Sequence, residues 1–357
     1  MKCSRLISIL FIALSAASAW AQSATGAEEY YFLNVQATGT LEKELNQNAA
    51  QGWRLLLLPK ANNSDTMGAL LKKPGAEAPR YEYKVLAAQR IGTLENEFKA
   101  AIAEGYDFRG VMTTERVLVG NETLIVLERL AGQKTAKLEY IFLNTKKEST
   151  LQKETEAAVS QGYVPSGFVR TMDNSVKQKM FGIMAGLPIE LTMILARNRE
   201  TPAASMGREY KTLATSRLKT LEKEMNEAAQ QGYRFYYAAP AALTIMVREP
   251  GVKAPRVEYQ VLGTNRVNTM EKEMNDLSKQ GFRYMATSNG AGGLATIFER
   301  TPTAEGSATP FEIKLVTKFT DTSVNKEIQK LVQDGYQLMD ITNLSNFLLM
   351  LQKSGTR

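Results

Sequence analysis

Four glutamate pairs recur along the chain: Glu42/Glu44, Glu95/Glu97, Glu222/Glu224 and Glu271/Glu273. Two carboxylates facing each other across a cleft are what glycoside hydrolysis needs. Residues two apart on a helix point in different directions, however, so these pairs do not face each other. Recurrence at four places suits a demand of the fold better than one active centre, and helix capping and surface ion pairing are expected of them. Other chemistry lacks its parts. The 357 residues include no histidine and one cysteine, Cys3. Serine–histidine and cysteine–histidine catalysis and ordinary zinc sites need residues that are missing, which leaves carboxylate-only chemistry or an oxygen-ligand calcium site. Gly290-Ala291-Gly292-Gly293 has neither a lysine nor a helix start behind it, so a hairpin turn is expected there, not a phosphate loop. No enzyme activity and no cofactor are expected.

Binding is the alternative use of side chains. Arg54, Arg234 and Arg283 each follow an aromatic residue, with Tyr236 and Tyr284 nearby, and are expected to form a mixed basic-aromatic binding surface. A second basic set, Lys73, Arg129, Arg197, Arg248, Arg300 and Lys353, ends apolar runs. Lined up by the array it would suit an anionic polymer, but the expectation is that it pairs with helix carboxylates or ends in solvent. Residues 171–188 form an insertion carrying Met180, Phe181, Met184 and Leu187. Such an adaptable apolar patch reads as a partner site or as a lid over the protein's own sheet, and both readings stay open. The formal charge is +7, from 44 basic and 37 acidic residues. That is too mild and too dispersed for a nucleic-acid binder, and an envelope protein or an anionic polymer is the expected partner class.

The start of the chain has the pattern of an export signal. Lys2 and Arg5 precede the apolar run Leu6–Ala17, and Ala19-Trp20-Ala21 fits a small-residue cleavage site. Residues 1–21 are therefore expected to be a signal peptide cleaved after Ala21, with a periplasmic mature chain and no transmembrane segment.

The elements that would position these residues repeat. A glycine followed by an aromatic occurs at Gly52-Trp53, Gly105-Tyr106, Gly162-Tyr163, Gly232-Tyr233, Gly281-Phe282 and Gly335-Tyr336. Each pair ends a stretch with one apolar stripe, such as Leu41, Leu45 and Ala49, which predicts a helix packed by one face and closed by a left-handed glycine. Before each helix comes an alternating strand: Tyr30–Val35, Tyr81–Leu86, Leu138–Leu143, Glu209–Leu213, Val257–Leu262 and Phe311–Val316. With caps at Gly39, Gly92, Ser149, Asn268 and Asp321, residues Glu42, Glu95, Gln152 and Glu271 would complete capping boxes. Two further strands follow each helix. The sequence thus predicts an α+β fold of six tandem βαββ repeats, at 28–73, 80–130, 137–199, 208–249, 256–301 and 310–354, with helices packed on antiparallel-rich sheets. LKKPGAEAPRYEYKVL and VREPGVKAPRVEYQVL join corresponding units, so the six are expected to form two pseudo-repeated three-unit halves joined by a linker at 200–207. Units this small should share buried surface with their neighbours.

The consensus resembles domain-of-unknown-function family 4177, a small bacterial βαββ domain. The residues that carry it are Tyr81-Glu82-Tyr83-Lys84-Val85-Leu86 with Thr93-Leu94-Glu95, Glu222-Lys223-Glu224-Met225-Asn226 with Gln231-Gly232-Tyr233, and Gln51-Gly52-Trp53. The resemblance implies the βαββ unit and no activity; six copies in one chain depart from the family's pattern. The leading functional expectation is a non-catalytic exported binding or scaffolding protein of the bacterial envelope. The alternatives are a carboxylate-dependent hydrolase or lyase of cell-wall glycan and a periplasmic small-molecule carrier.

Overall fold

A computed structural model describes residues 29–59, 67–74, 78–88, 90–114, 122–144, 148–172, 189–201, 207–215, 217–239, 243–290, 293–302, 310–317, 320–343 and 347–354. The proposed signal peptide and the patch residues Met180, Phe181, Met184 and Leu187 lie outside them, as does most of the expected linker.

Six units follow one another, each a strand, a helix and two more strands. Unit one is β1 (Glu29–Val35), α1 (Thr38–Ala50), β2 (Arg54–Leu57) and β3 (Met67–Lys73). Unit two is β4 (Tyr81–Ala88), α2 (Ile91–Ala103), β5 (Asp107–Thr114) and β6 (Glu122–Leu130). Unit three is β7 (Leu138–Asn144), α3 (Glu148–Ser160), β8 (Val164–Met172) and β9 (Ile189–Asn198). Unit four is β10 (Glu209–Ala214), α4 (Leu218–Gln230), β11 (Arg234–Ala239) and β12 (Leu243–Arg248). Unit five is β13 (Glu258–Leu262), α5 (Val267–Lys279), β14 (Arg283–Gly290) and β15 (Gly293–Arg300). Unit six is β16 (Phe311–Thr317), α6 (Asp321–Gln333), β17 (Gln337–Asn343) and β18 (Phe347–Ser354). Every sheet is antiparallel and three-stranded, with the unit's last strand in the middle. The second strand of each carries one extra residue: Leu56, Arg109, Ser166, Tyr236, Met285 or Met339. Such a bulge bends the strand and leaves one residue outside the ladder.

The glycine–aromatic pairs are helix ends of one kind. All six glycines have φ between +85° and +95°. Gly52 donates to the Ala49 carbonyl and Trp53 to the Asn48 carbonyl, and each other unit repeats both bonds, as Gly335 to Val332 and Tyr336 to Leu331. This is the Schellman arrangement, which needs a left-handed residue at the corner.

The corner also explains the strand-terminal cations. Arg129 lies 4.3 Å over the Tyr106 ring, bonds Glu82 at 2.6 Å and donates to the Glu104 carbonyl at the helix end. Arg197 does the same with Tyr163, Glu139 and the Gln161 carbonyl, and Arg300 with Phe282, Glu258 and the Gln280 carbonyl. Arg248 uses Tyr233, Glu209 and the Gln231 carbonyl. The lysines are weaker copies, with Lys73 over Trp53 and 3.6 Å from Glu29. Ion pairing was expected, but with a helix carboxylate. The partner is instead the glutamate directly opposite on the first strand, as in the pairs Glu82–Arg129 and Glu139–Arg197.

The helix starts differ from expectation. Ala37, Arg90, Arg217 and Arg266 are the N-caps and make no side-chain cap bond, whereas Thr320 accepts from Ser323. Glu42 therefore lies more than a turn inside α1, too deep to cap it. It reaches the next unit instead: its carboxylate accepts the Val85 backbone N–H at 2.7 Å. Glu222 holds Val261 and Glu271 holds Leu315 in the same way, at 2.9 and 2.8 Å. One residue-turn along, Asn46, Asn226 and Asn275 each pair with both backbone groups of Tyr83, Tyr259 and Ile313. These side chains satisfy the open edge of three sheets with the helix of the preceding unit, which removes a hazard of exposed edge strands there.

Packing follows the same step. The cores are shared between units: Leu41, Leu45 and Ala49 of α1 are buried with Tyr83, Leu124 and Val126 of unit two. Met225 and Ala228 of α4 join Tyr259 and Ile297, and Met270 and Met274 of α5 join Ile313, Leu348 and Met350. The last step closes the array. Val324, Ile328 and Phe347 of unit six are buried with Tyr30, Phe32 and Leu70 of unit one. Units three and four meet likewise, through Leu151, Tyr163, Phe168, Tyr210 and Ile245. The six units form a closed ring of six seams, and each buried leucine or phenylalanine contributes on the order of 2 kcal/mol to holding a seam shut.

Candidate functional site

The charged groups that leave the corner clamps converge on the seams. Between units one and two, Arg54 grips Glu128 through Nε at 3.2 Å and Nη2 at 2.7 Å. The Arg54 guanidinium lies 4.0 Å over the Tyr81 ring. Tyr83 donates its hydroxyl to Glu128 at 2.8 Å and accepts the Leu55 N–H at 2.8 Å. Arg109, on the bulge of β5, stands 3.8 Å from Glu128 and donates to the Leu55 and Leu56 carbonyls at 2.8 and 3.0 Å. Glu128 is 8 % exposed, so its charge is matched by arginine and a phenol in place of water. Burial, and next the Glu128 charge, push the Tyr83 phenol well above its ordinary value and keep it a donor.

The seam between units four and five repeats this constellation. Arg234 bonds Glu299 at 2.8 Å, Tyr259 donates to Glu299, and Phe235 N–H donates to the Tyr259 hydroxyl at 2.8 Å. Between units two and three the acid moves to the other strand: Phe108 N–H donates to Tyr140, whose hydroxyl bonds Asp107. Between units five and six, Tyr284 donates to Asp340, which is 4 % exposed, and shares a hydrogen bond with Thr287. Burial, and then Asp340, push the Tyr237 phenol up to about 12.

The expected basic-aromatic surface is thereby distributed over four seams. Arg54 and Arg234 are taken up by Glu128 and Glu299. Tyr236 donates to the Pro165 carbonyl at 2.8 Å and packs edge-on against Tyr210. The Tyr284 hydroxyl is committed to Asp340 and Thr287. Arg283 is exposed, with its guanidinium 5.5 Å over the Phe311 ring. The physical reason is the ring: side chains after the glycine–aromatic corner meet the next unit's first strand, which an isolated unit would leave as open surface. Glu128 and Glu299 were missed by sequence reasoning. Their signal was present, because each directly precedes the strand-terminal arginine, in units two and five.

The glutamate pairs do not share a cleft. Glu42, Glu222 and Glu271 hold backbone amides across three different seams, and Glu95 pairs with Lys99 on its own helix at 2.8 Å. Among the described residues no group of three or more acidic or cysteine side chains is placed to hold a metal. An open notch of about 290 Å³ lies in unit four, lined by Lys211, Thr212, Glu224, Glu227 and Gln231. Lys211 is bonded to Gln231 across it, at 3.1 Å. No helix among the described residues is long and apolar enough to cross a membrane. No protein-family model matches the chain. Nor does any curated protein match it.

Proposed function

We propose that the protein is a non-catalytic, exported scaffold of the bacterial envelope, carried to the periplasm by residues 1–21 and presenting the outer surface of a closed ring to an envelope protein or an anionic polymer. One observation supports this above others: the charged and aromatic residues of the repeated motif serve the corners and the seams, so that the repeat builds a platform. The ancestry of the platform is a duplicated three-unit block of βαββ domains similar to family 4177. The Arg54–Glu128–Tyr83 and Arg234–Glu299–Tyr259 constellations, three units apart, support that duplication.

The test is capture from native envelope after cross-linking, followed by reconstitution from purified components. The expected result is a defined envelope partner or acidic polymer that binds the purified ring. Turnover of a cell-wall glycan by the pure protein, lost in a carboxylate variant that still folds, would replace this reading with the hydrolase.

A further inference from the structure

The six seams share a similar apolar filling and differ in their polar clasps. Between units one and two, four and five, and five and six, the helix clasps the next strand's amide with a carboxylate, from Glu42, Glu222 and Glu271. Between units two and three the carboxylate comes from β5, where Asp107 accepts the Lys137 and Leu138 N–H groups at 3.0 and 3.1 Å. The remaining two seams use a neutral amide. Gln152 holds Thr212 N–H at 3.2 Å and the Tyr210 carbonyl at 2.7 Å, and Asn325 holds both backbone groups of Phe32. Hydrogen bonds to an ionised acceptor are the stronger kind. The two amide-clasped seams lie three units apart, between units three and four and between units six and one.

The seam between units three and four lacks more than charge. Leu55, Phe108 and Phe235 offer a backbone N–H to Tyr83, Tyr140 and Tyr259, and Pro165 stands at that position opposite Tyr210. Proline has no N–H to give. Arg208 and Tyr236 stand near the Tyr210 hydroxyl without reaching hydrogen-bond geometry, and the hydroxyl is buried and unpaired. The Thr212 hydroxyl is buried and unpaired in the same seam. Where the first and second units place Arg54 and Glu128, this seam has Val164 and Val247, so no ion pair of that kind crosses it.

We infer that the ring opens as two rigid three-unit halves, along the seams between units three and four and between units six and one, with the former parting first. Opening uncovers an apolar face that includes Phe168, Tyr210, Leu243 and Ile245. The closed ring is then a reversible clasp, and the carboxylate clasps of Glu42, Asp107, Glu222 and Glu271 keep each half intact while it opens.

Residue-resolved amide exchange on the intact protein tests this, because equivalent amides report each seam. Thr212 and Phe32 are expected to exchange at least about tenfold faster than Val85, Val261 and Leu315, through an opening below the global unfolding free energy. Equal protection at the five amides, or earlier exchange at Val85 or Val261, overturns the inference. Two variants separate it from general looseness. Pro165→Leu restores the N–H found in unit one and is expected to slow Thr212 exchange while leaving Val85 unchanged. Tyr210→Phe is expected to keep or raise the melting temperature, whereas Tyr83→Phe and Tyr259→Phe lower it. A Tyr210→Phe loss as large as that of Tyr83→Phe, or Pro165→Leu without effect on Thr212, overturns the inference even where overall protection is uneven.

Discussion

Asn325, in the last helix, binds Phe32, in the first strand, through both backbone groups: Phe32 N–H donates to Asn325 Oδ1 at 2.6 Å, and Asn325 Nδ2 donates to the Phe32 carbonyl at 2.9 Å. The two residues are 293 apart in sequence, and their pairing shuts the ring. Removing the side chain strands an edge amide and a carbonyl that the seam has already taken out of water. Asn325→Ala is expected to cost about 1–3 kcal/mol in urea unfolding, and Asn46→Ala and Asn226→Ala about the same, since they make the equivalent pair of bonds.

Tyr83→Phe leaves the Leu55 N–H without its acceptor and takes one of two donors from Glu128 Oε2. The expected loss is about 1–3 kcal/mol. Glu128→Ala should cost at least as much, about 1–3 kcal/mol, because Tyr83 and the two half-buried arginines Arg54 and Arg109 then lose their shared acceptor. A double-mutant cycle over Tyr83 and Glu128 checks that the two act as one unit.

The corner glycines should rank by surroundings. Gly52 and Gly105 both have positive φ, and either alanine is strained by about 1–2 kcal/mol. A Cβ at Gly52 meets nothing within 4 Å, whereas one at Gly105 falls 2.7 Å from the Gln133 carbonyl oxygen, which is backbone and cannot swing aside. Gly105→Ala should therefore destabilise clearly more than Gly52→Ala in matched thermal melts.

Acid and alkali should attack different parts. The Arg197 hydrogen bond holds the Glu139 carboxyl below its ordinary value of 4.5. That contribution is whole above about pH 4.5 and fades as the pH falls through the lower folded value, which loosens the corner of unit three. Burial raises the Tyr237 phenol from 10.0 to about 12, so the folded chain keeps the proton longer than the unfolded one. Its contribution is whole below pH 10 and lost as the pH rises towards 12. Phenolate absorbance and circular dichroism, followed together, should show this tyrosine ionising as the fold loosens; free titration of all the tyrosines near pH 10 in an intact fold would contradict it.

Much of the unit was legible in sequence. The opening strands start within one residue of expectation, as at Tyr81, Leu138, Glu209 and Phe311, and the glycine–aromatic corners are helix ends as read. What failed was assignment across units. Glu42 sits three residues after a residue that could cap, so a local pattern pointed to a capping box, while its true partner is Val85, 43 residues on. The strand-opening glutamates Glu29, Glu82, Glu139, Glu209, Glu258 and Glu312 recur as faithfully as the glycines, and aligning them with the strand-terminal cations would have exposed the corner clamp. Ring closure had no local signature. It relates the two ends of the array, and the side chains of Asn325 and Phe32 are of ordinary kinds for a helix and a strand.

Closure also sets an arithmetic on inheritance. An open string of such units could lengthen or shorten by one copy and still bury its cores. Here every helix already has its strand to cover, including the last, so a seventh unit would have nowhere to insert without splaying its neighbours, and a deletion would leave one helix and one strand facing solvent. Descendants of this chain should diverge freely in loops and outer surface while their number of units stays fixed.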